Sequence, residues 1–261
     1  MIGFIGGGNM AEALIRGLVK EGEKNIIVSE PIDERRRYLA NCYGVKTTPS
    51  NTEVVNLSEI IILAVKPQNI KEVLEEIKDT VSERHIVVSI AAGIPLEFIQ
   101  KYLKTDKLIR AMPNIAAIVG EAMTVLALCE CLEMKIIALV RDIFMSVGKV
   151  ITLPEHYMNF VTALSGSGPG FFCYIIEQFV DVAIELGFTE DIAKELIVQT
   201  FIGTAKLLDS GLPPDKIRQK VTSPGGTTEA GLKVLSQSAL KEIFLKTLQE
   251  ATKRAQQLSM E

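Results

Sequence analysis

The first part of the chain alternates short apolar runs with segments of helical spacing. The run Ile60–Val65 is apolar at every position, as is typical of a strand buried on both faces of a sheet. The segments between the runs carry charged residues on one face, which is typical of amphipathic helices. Alternating strands and helices predict a mostly parallel sheet covered by helices on both sides. The runs are Ile2–Ile5, Asn25–Ser29, Gly44–Thr47, Ile60–Val65, His85–Ile90 and Leu108–Arg110, and the helical segments are Asn9–Glu21, Asp33–Cys42 and Asn69–Val81.

The pattern changes near residue 153. Met123–Leu128 and Lys149–Leu153 are predicted to be two further strands that extend the sheet, around a helix at Leu132–Ser146. From Pro154 onwards only helical periodicity is found. We therefore predict an α/β domain over residues 1–153 and an all-helical domain over residues 154–261. The predicted helices of the second domain are Phe171–Leu186, Asp191–Asp209, Pro214–Val221, Thr228–Leu235 and Ala239–Leu258.

The composition narrows the classes of function. Apolar residues make up 48% of the 261 residues, which is enough for a large core, and the net charge of −4 provides no basic field for a nucleic acid. With two histidines in the chain, a histidine-based metal site is not expected. The apolar segment Pro169–Phe188 carries acids at i, i+4 and i+8, so it is predicted to be an amphipathic core helix and not a membrane span. Those acids are Glu177, Asp181 and Glu185.

The cysteines indicate a reducing environment. Cys42, Cys129, Cys131 and Cys173 include no Cys-x-x-Cys pair, and Cys129 and Cys131 are predicted to share one face of a strand. Such residues are typically free, buried thiols. The chain opens with strand-like sequence and has no basic, apolar leader, so we expect a cytoplasmic protein.

A glycine-rich turn follows the first predicted strand. Gly6, Gly8 and Ala11 form a Gly-x-Gly-x-x-Ala pattern that opens the first helix. The first glycine permits the tight turn, the second lets a pyrophosphate approach the backbone, and the alanine keeps helix and strand close. The helix N-terminus then faces the phosphates. This context predicts a dinucleotide site.

An acid ends the second predicted strand. Glu30 lies 22 residues beyond Gly8, where an acid typically binds the ribose hydroxyls of the adenosine. A carboxylate there repels a 2′-phosphate and favours NAD(H) over NADP(H). Three arginines in the next helix, Arg35, Arg36 and Arg37, could offset that repulsion. We expect an NAD(P)H cofactor with a slight preference for NADH.

Three later strand ends carry small or polar residues. They are Ala64–Pro67, Ala91–Gly93 and Met112–Asn114. Because the carboxyl ends of strands in an open parallel sheet form the ligand crevice, these segments are candidates for the rest of the cofactor groove. Each alone is better explained as an ordinary loop, but several along one edge favour a groove.

A second glycine-rich loop interrupts the helical half at Val221–Thr228. Pro224 ends one helix, the glycine pair permits a turn, and Thr227 or Thr228 could cap the next helix. Such a loop presents backbone N–H groups to an anion. A simple connection between two helices explains the same residues.

Four segments together resemble the pyrroline-5-carboxylate reductases, enzymes of the last step of proline synthesis. They are Gly3–Ala11, Ala64–Pro67, Leu164–Pro169 and Val221–Thr228, and their order and spacing cover nearly the full chain. The resemblance implies a Rossmann-type domain followed by a helical domain that interleaves with a partner, in dimers and rings of dimers. It also implies NAD(P)H-dependent reduction of the cyclic imine of 1-pyrroline-5-carboxylate to L-proline.

The resemblance also assigns residues. The substrate carboxylate would bind the amides of the 221–228 loop, with the Thr228 hydroxyl facing the ring nitrogen as the catalytic group and Glu155 as an acid near that nitrogen. The predicted substrate-binding residues are Glu155, Ser223, Gly225, Gly226, Thr227 and Thr228. The predicted cofactor-binding residues are Gly6, Gly7, Gly8, Asn9, Met10, Glu30, Asn51, Ala64, Val65, Lys66, Pro67, Ala91, Ala92 and Asn114.

Two alternatives remain. One is a reductase of another small imino or keto acid on the same plan. A β-hydroxyacid-type dehydrogenase would place a catalytic lysine on the Phe171–Leu186 helix, which contains none. The other is a non-catalytic nucleotide-binding relative, which would be expected to have a degraded 221–228 loop.

Overall fold

The computed structural model describes residues 1–129 and 132–258. Within them, eight strands form one sheet. The strands are β1 Ile2–Ile5, β2 Ile26–Ser29, β3 Lys46–Thr48, β4 Ile60–Leu63, β5 Ile86–Ser89, β6 Leu108–Met112, β7 Ala122–Leu128 and β8 Gly148–Thr152.

The order of the strands across the sheet is β3-β2-β1-β4-β5-β6-β7-β8. Strands β1 to β6 run parallel, whereas β7 is antiparallel to β6 and parallel to β8. The order reverses between β1 and β4, and this switch point is where doubly wound folds bind ligands. The prediction of a mostly parallel sheet, extended by two later strands, is confirmed.

The helices follow the predicted pattern with three additions. Helices α3, α5 and α7 were not predicted, because seven, five and four residues are too few to produce a periodic apolar signal. The α-helices are α1 Asn9–Lys20, α2 Asp33–Tyr43, α3 Asn51–Leu57, α4 Ile70–Ile77, α5 Leu96–Gln100, α6 Met134–Met145, α7 Met158–Val161, α8 Gly168–Glu185, α9 Glu190–Asp209, α10 Pro214–Val221, α11 Thr227–Gln237 and α12 Leu240–Leu258.

Both faces of the sheet are buried, as the apolar strands require. On β1, Phe4 faces a cluster that includes Leu14 of α1 and Phe144 of α6. Its neighbour Ile5 faces the opposite cluster, which includes Leu74 of α4. Successive side chains of a strand point to opposite faces, so one four-residue strand joins two cores.

The chain divides into two compact units. One contains residues 1–169 and 248–258, and the other contains residues 170–247. The segment after residue 153 is helical, yet Met158 and Val161 pack with Val125 and Ala127 of β7 in the first unit. The sequence-based boundary between residues 153 and 154 stays a prediction.

The second unit has almost no core of its own. Among residues 170–247, only Val180 and Ala193 are both apolar and buried. On α8 and the residue that directly follows it, by contrast, a stripe of apolar side chains is exposed by 52 to 76%. Its spacing of seven, three and four residues places it on one helix face. The stripe consists of Phe172, Phe179, Val182 and Leu186.

His85 has a structural position, whereas the described cysteines are exposed or half-buried. The His85 ring accepts a hydrogen bond from the Ser82 amide at Nδ1 (2.9 Å) and lies 3.2 Å from the Val55 carbonyl at Nε2. Burial lowers the pKa of His85, and these partners fit the neutral ring. The prediction of buried thiols is wrong for Cys42 and Cys173, which are exposed. Cys129 is half-buried, and Cys131 lies outside the described residues.

Across the described residues, none of the helices combines the length and the apolar character that a membrane span needs.

Candidate functional site

The glycine turn between β1 and α1 has the geometry that the sequence predicts. Gly6 adopts φ +98°, a left-handed conformation that a side chain rarely accepts, and a Cβ there would lie 2.9 Å from the Ala64 carbonyl oxygen. The close approach places the turn against the end of β4, at the switch point. Ala11, one turn into α1, is 1% exposed and keeps the helix close to the sheet.

The turn leaves room for a ligand in front of α1. Gly8 is the N-cap residue of α1, makes no side-chain cap, and has no described atom within 4 Å of where its Cβ would be. The first N–H groups of a helix lack partners within the helix, so those at the start of α1 are open to an anion. Asn9 and Met10 lie in this first turn. The site fits the pyrophosphate of a dinucleotide.

Glu30 extends from the end of β2 to this turn. One carboxylate oxygen accepts a hydrogen bond from the Gly7 amide at 2.9 Å, and the other accepts one from the Ile32 amide at 3.1 Å. The residue is 9% exposed. Its negative charge therefore lies at the turn, where the sequence places the adenosine ribose.

The three arginines of α2 are all paired. Arg35 donates to the Gly7 carbonyl at 2.7 Å and forms an ion pair with Glu12. The guanidinium of Arg36 donates to the carbonyls of Glu30 and Pro31 and contacts Asp33, and Arg37 also contacts Asp33. The sequence indicates only that these arginines could offset the charge of Glu30; the structural role of Arg35 was missed because its partners lie 23 and 28 residues away.

The other predicted cofactor residues lie at strand ends on the same edge of the sheet. Asn51, at the start of α3, accepts from the Ser29 hydroxyl at 2.6 Å and donates to Glu76 at 2.7 Å. Ala64, Val65, Lys66 and Pro67 follow β4, with Lys66 exposed, and Ala91 and Ala92 follow β5. The ends of β1, β2, β4 and β5 are neighbours in the sheet, so these residues line one edge.

Asn114 lies beyond the next strand and is used within the fold. Its amide nitrogen donates to the Ser165 carbonyl at 3.2 Å, and its amide oxygen accepts from the Met123 amide at 3.3 Å. Ser165 belongs to a π-helical turn at Thr162–Gly166. Asn114 thus ties the end of β6 to β7 and to this turn.

Glu155 forms an ion pair that the sequence did not reveal. One of its oxygens accepts from the Leu96 amide at 2.8 Å and lies 3.3 Å from Arg110. The Arg110 side chain is 5% exposed and also lies 3.4 Å from the Asn159 side-chain oxygen. Desolvation lowers the pKa of Arg110, and the neighbouring Glu155 carboxylate opposes that shift. The pair joins β6, the start of α5 and the segment before α7.

The 221–228 loop connects α10 to α11 through a tight turn. Gly225 has φ +70°, and the Gly226 amide donates to the Ser223 carbonyl at 3.0 Å. The N-cap of α11 is Gly226. The prediction that Thr227 or Thr228 caps this helix is wrong: α11 begins at Thr227, so both threonines lie inside it.

The loop directs a limited set of N–H groups outward. The amides of Gly225 and Gly226 already have acceptors, the Glu229 carboxylate at 2.7 Å and the Ser223 carbonyl. The amides of Thr227 and Thr228 are in the first turn of α11, where helix geometry provides no acceptor. Beside the loop is an open groove of about 830 Å³ whose lining includes Arg218 and Lys233.

Known families match both parts of the chain. Residues 155–258 match the model described as pyrroline-5-carboxylate reductase dimerisation, and residues 1–93 match the model described as NADP oxidoreductase coenzyme F420-dependent. A pyrroline-5-carboxylate reductase from Synechocystis is 41% identical over 261 residues, which cover 98% of this chain and 97% of that one.

Solved structures are similar over the full length. A pyrroline-5-carboxylate reductase from Coxiella burnetii has a TM-score of 0.94 and 38% identity, covering 99% of this chain and 98% of that one. The Plasmodium falciparum pyrroline carboxylate reductase with NADP bound has a TM-score of 0.86 and 25% identity, covering 99% and 97%. The predicted Rossmann-type domain followed by a helical domain is confirmed.

Removing Glu155 should destabilise the protein more than removing Arg110. Glu155→Ala leaves Arg110 buried without its anion, and we expect a loss of about 3 kcal/mol in the free energy of unfolding. Arg110→Met leaves a carboxylate that is 32% exposed and still accepts from the Leu96 amide, so its loss should be about 1 kcal/mol. Urea denaturation of both variants measures the difference.

A surface pair on α5 provides the control for this comparison. Glu97 pairs with Lys101 at 3.0 Å, but both side chains are well exposed. Glu97→Ala should change the free energy of unfolding by less than about 1 kcal/mol. Equal losses in Glu155→Ala and Arg110→Met would contradict the asymmetry.

Proposed function

Because this chain belongs to the pyrroline-5-carboxylate reductase family, we propose that it reduces 1-pyrroline-5-carboxylate to L-proline with NADH or NADPH, the last step of proline biosynthesis. The observation that carries the proposal is the 221–228 loop, whose turn starts α11 at Thr227 with its first amides free of helical acceptors. Beside it lies a groove lined by Arg218 and Lys233 as well as by Glu229. A protein that only bound nucleotides would not need this loop.

The chemistry requires little beyond binding and orientation. A protonated imine carries positive charge on nitrogen, which makes its carbon much more electrophilic. When bound, the reduced nicotinamide supplies a hydride to that carbon. The protein must hold the ring in one orientation and stabilise its charge, and both effects lower the barrier.

We assign these tasks to the loop and to Glu155. The amides of Thr227 and Thr228 bind the substrate carboxylate, while Ser223, Gly225 and Gly226 shape the turn that presents them. The Thr228 hydroxyl hydrogen-bonds to the ring nitrogen. Glu155 supplies negative charge for the protonated nitrogen, and its position is set by Arg110 and by the Leu96 amide.

We propose that NADH is the preferred cofactor. The Glu30 carboxylate lies at the turn, and the three nearby arginines are occupied by Glu12, Asp33 and backbone carbonyls. A 2′-phosphate would meet the Glu30 carboxylate, and each of these three arginines already has a partner. The NADP-bound relative is 25% identical and does not decide the preference of this chain.

We propose that the chain forms a homodimer through its helical unit, and that dimers assemble further into rings. A unit of 78 residues (170–247) that buries two apolar side chains lacks a core, and a second copy would bury the exposed stripe on α8. The match to a dimerisation family supports this. We also propose a cytoplasmic location, which the free thiols of Cys42 and Cys173 fit.

Reduction of 1-pyrroline-5-carboxylate should be directly measurable. We expect purified protein to oxidise NADH or NADPH in its presence, followed by the loss of nicotinamide absorbance. Thr228→Ala should lower kcat/KM by about 10- to 100-fold, because the hydrogen bond to the ring nitrogen is lost. Thr228→Ser keeps the hydroxyl and should retain most of the activity.

The activity of the wild type and the effect of Thr228→Ala test different parts of the proposal. An absence of turnover with either cofactor would refute the proposed reaction. A small keto acid tested in parallel would identify a reductase of another substrate class. Equal rates in Thr228→Ala and wild type would refute only the role of Thr228.

The preference for NADH depends on the charge of Glu30. Glu30→Gln keeps the size of the side chain and one acceptor oxygen for the Gly7 amide but removes the charge. We expect the ratio of kcat/KM for NADPH to kcat/KM for NADH to rise by about tenfold. Steady-state kinetics with both cofactors measures this ratio. An unchanged ratio would show that the carboxylate does not select the cofactor.

Self-association should depend on the α8 stripe. We expect light scattering coupled to size-exclusion chromatography to give a mass of at least twice 28.6 kDa for the wild type. Val182→Glu places a charge in the stripe and should shift the mass towards the monomer, because burying an unpaired charge is unfavourable. Lys194→Glu, on the exposed surface of α9, is the control. A monomeric wild type would contradict the proposal.

A further inference from the structure

Four polar side chains connect helices α1 and α2 beside the glycine turn. Glu12 of α1 accepts hydrogen bonds from the hydroxyls of Tyr38 (2.9 Å) and Tyr43 (2.7 Å) and forms an ion pair with Arg35. The Arg35 guanidinium also lies 5.0 Å from the centre of the Tyr38 ring, within the range of a cation–π interaction. We call these four residues the Glu12 cluster.

The cluster keeps Glu12 ionised, and the Glu12 carboxylate pairs with the guanidinium of Arg35. Burial alone would raise the pKa of Glu12, but the hydrogen bonds from Arg35, Tyr43 and Tyr38 outweigh it and lower the pKa. Burial and the hydrogen bond to Glu12 raise the pKa of Tyr43, so its hydroxyl remains a donor. The side chains of Arg35 and Glu12 are 25% and 20% exposed, so water screens the pair only in part.

Arg35 reaches past this cluster to the glycine turn. Its Nε donates to the Gly7 carbonyl at 2.7 Å, and the Gly7 amide donates to Glu30 at 2.9 Å. The two peptide groups that flank Gly7 are therefore each fixed by a charged side chain. A Cβ on Gly7 would lie 2.8 Å from the Leu39 side chain, so the backbone also packs closely against α2.

Such a restraint matters because the turn contains three consecutive glycines. A glycine run has unusually high conformational freedom, and a ligand that must order it loses binding free energy in doing so. Restraint by Arg35 and Glu30 removes that freedom before the ligand arrives. The turn sets the positions of Gly8 and of the first amides of α1. The pyrophosphate of either dinucleotide would contact these groups.

We propose that Arg35 is a positioning residue that preforms the pyrophosphate turn for NADH and NADPH alike, and that it is not a ligand of the 2′-phosphate. The proposal rests on the proposed function only in that the turn binds a dinucleotide. It separates Arg35 from Arg37 by role: Arg35 shapes the turn, whereas Arg37, with its side chain 76% exposed, lies on the surface.

Binding measured without the imine substrate tests this role. Isothermal titration calorimetry of the full-length protein with NADH, and separately with NADPH, gives the two dissociation constants. Each variant is titrated at a temperature well below its own melting temperature. Arg35→Met should weaken binding of both dinucleotides by about tenfold and by the same factor, because their pyrophosphates are identical. Arg35→Lys should recover part of the loss, and Arg37→Met should remain within about twofold of the wild type.

A double-mutant cycle tests whether Glu12 acts through Arg35. Glu12→Gln should weaken binding less than Arg35→Met does, and the double variant should be no weaker than Arg35→Met alone. Saturating cofactor should restore the kcat of Arg35→Met to nearly that of the wild type, since the restraint affects binding and not the reacting atoms. A variant that was merely less stable would show a lower melting temperature with unchanged dissociation constants.

Other outcomes overturn the proposal. If Arg35→Met weakens the binding of NADPH alone, Arg35 is a phosphate ligand. If neither constant changes by more than twofold, the turn does not depend on Arg35. Failure of the wild type to bind either dinucleotide would refute the site itself, whereas normal binding without turnover of 1-pyrroline-5-carboxylate would refute the proposed function and leave the role of Arg35 supported.

Discussion

The contact between the Gly6 turn and the end of β4 is the constraint on which the sheet unit depends. A left-handed backbone at Gly6 and a distance of 2.9 Å from its hypothetical Cβ to the Ala64 carbonyl leave no room for any side chain. The turn can therefore lie at the switch point between β1 and β4 and start α1 with its N–H groups directed away from the sheet. The ability of the turn to bind a pyrophosphate therefore comes from the position of its backbone amides. Nearby side chains restrict the movement of that backbone.

Several charged side chains of the sheet unit have structural partners, and two of them, Glu30 and Glu155, also have proposed ligands. Glu30 and Arg35 both hold Gly7, and Arg110 and Glu155 join three segments of the sheet unit. Arg110 and Glu30 are buried and Arg35 and Glu155 are partly exposed, so removing the partner of any of them to serve a ligand would cost the fold some stability, most of all at Arg110. The fold and the site are thus coupled through the same few ionic groups.

The helical unit follows a different constraint. Its helices could be predicted from the local periodicity of apolar residues. Two buried apolar side chains, however, are too few to form a core for 78 residues. The exposed stripe on α8 is regular in spacing, which is typical of a surface that packs against another helix. Association with a second copy is the simplest way for this unit to acquire a core.

Strand positions, the longer helices and the glycine turn could be determined from the sequence alone, because each depends on local periodicity or on a conformation that only glycine accepts. The short helices α3, α5 and α7 could not, since each has too few residues to show a repeat. The 221–228 loop could be recognised, yet the cap of α11 at Gly226 depended on the actual backbone path. The partners of Arg35, Arg110 and Glu155 were decided only by the tertiary structure, because they lie 23 to 59 residues away along the chain. The sequence shows which residue types stand at the ends of the predicted strands. The packing of helices against the sheet determines which charged side chains form ion pairs.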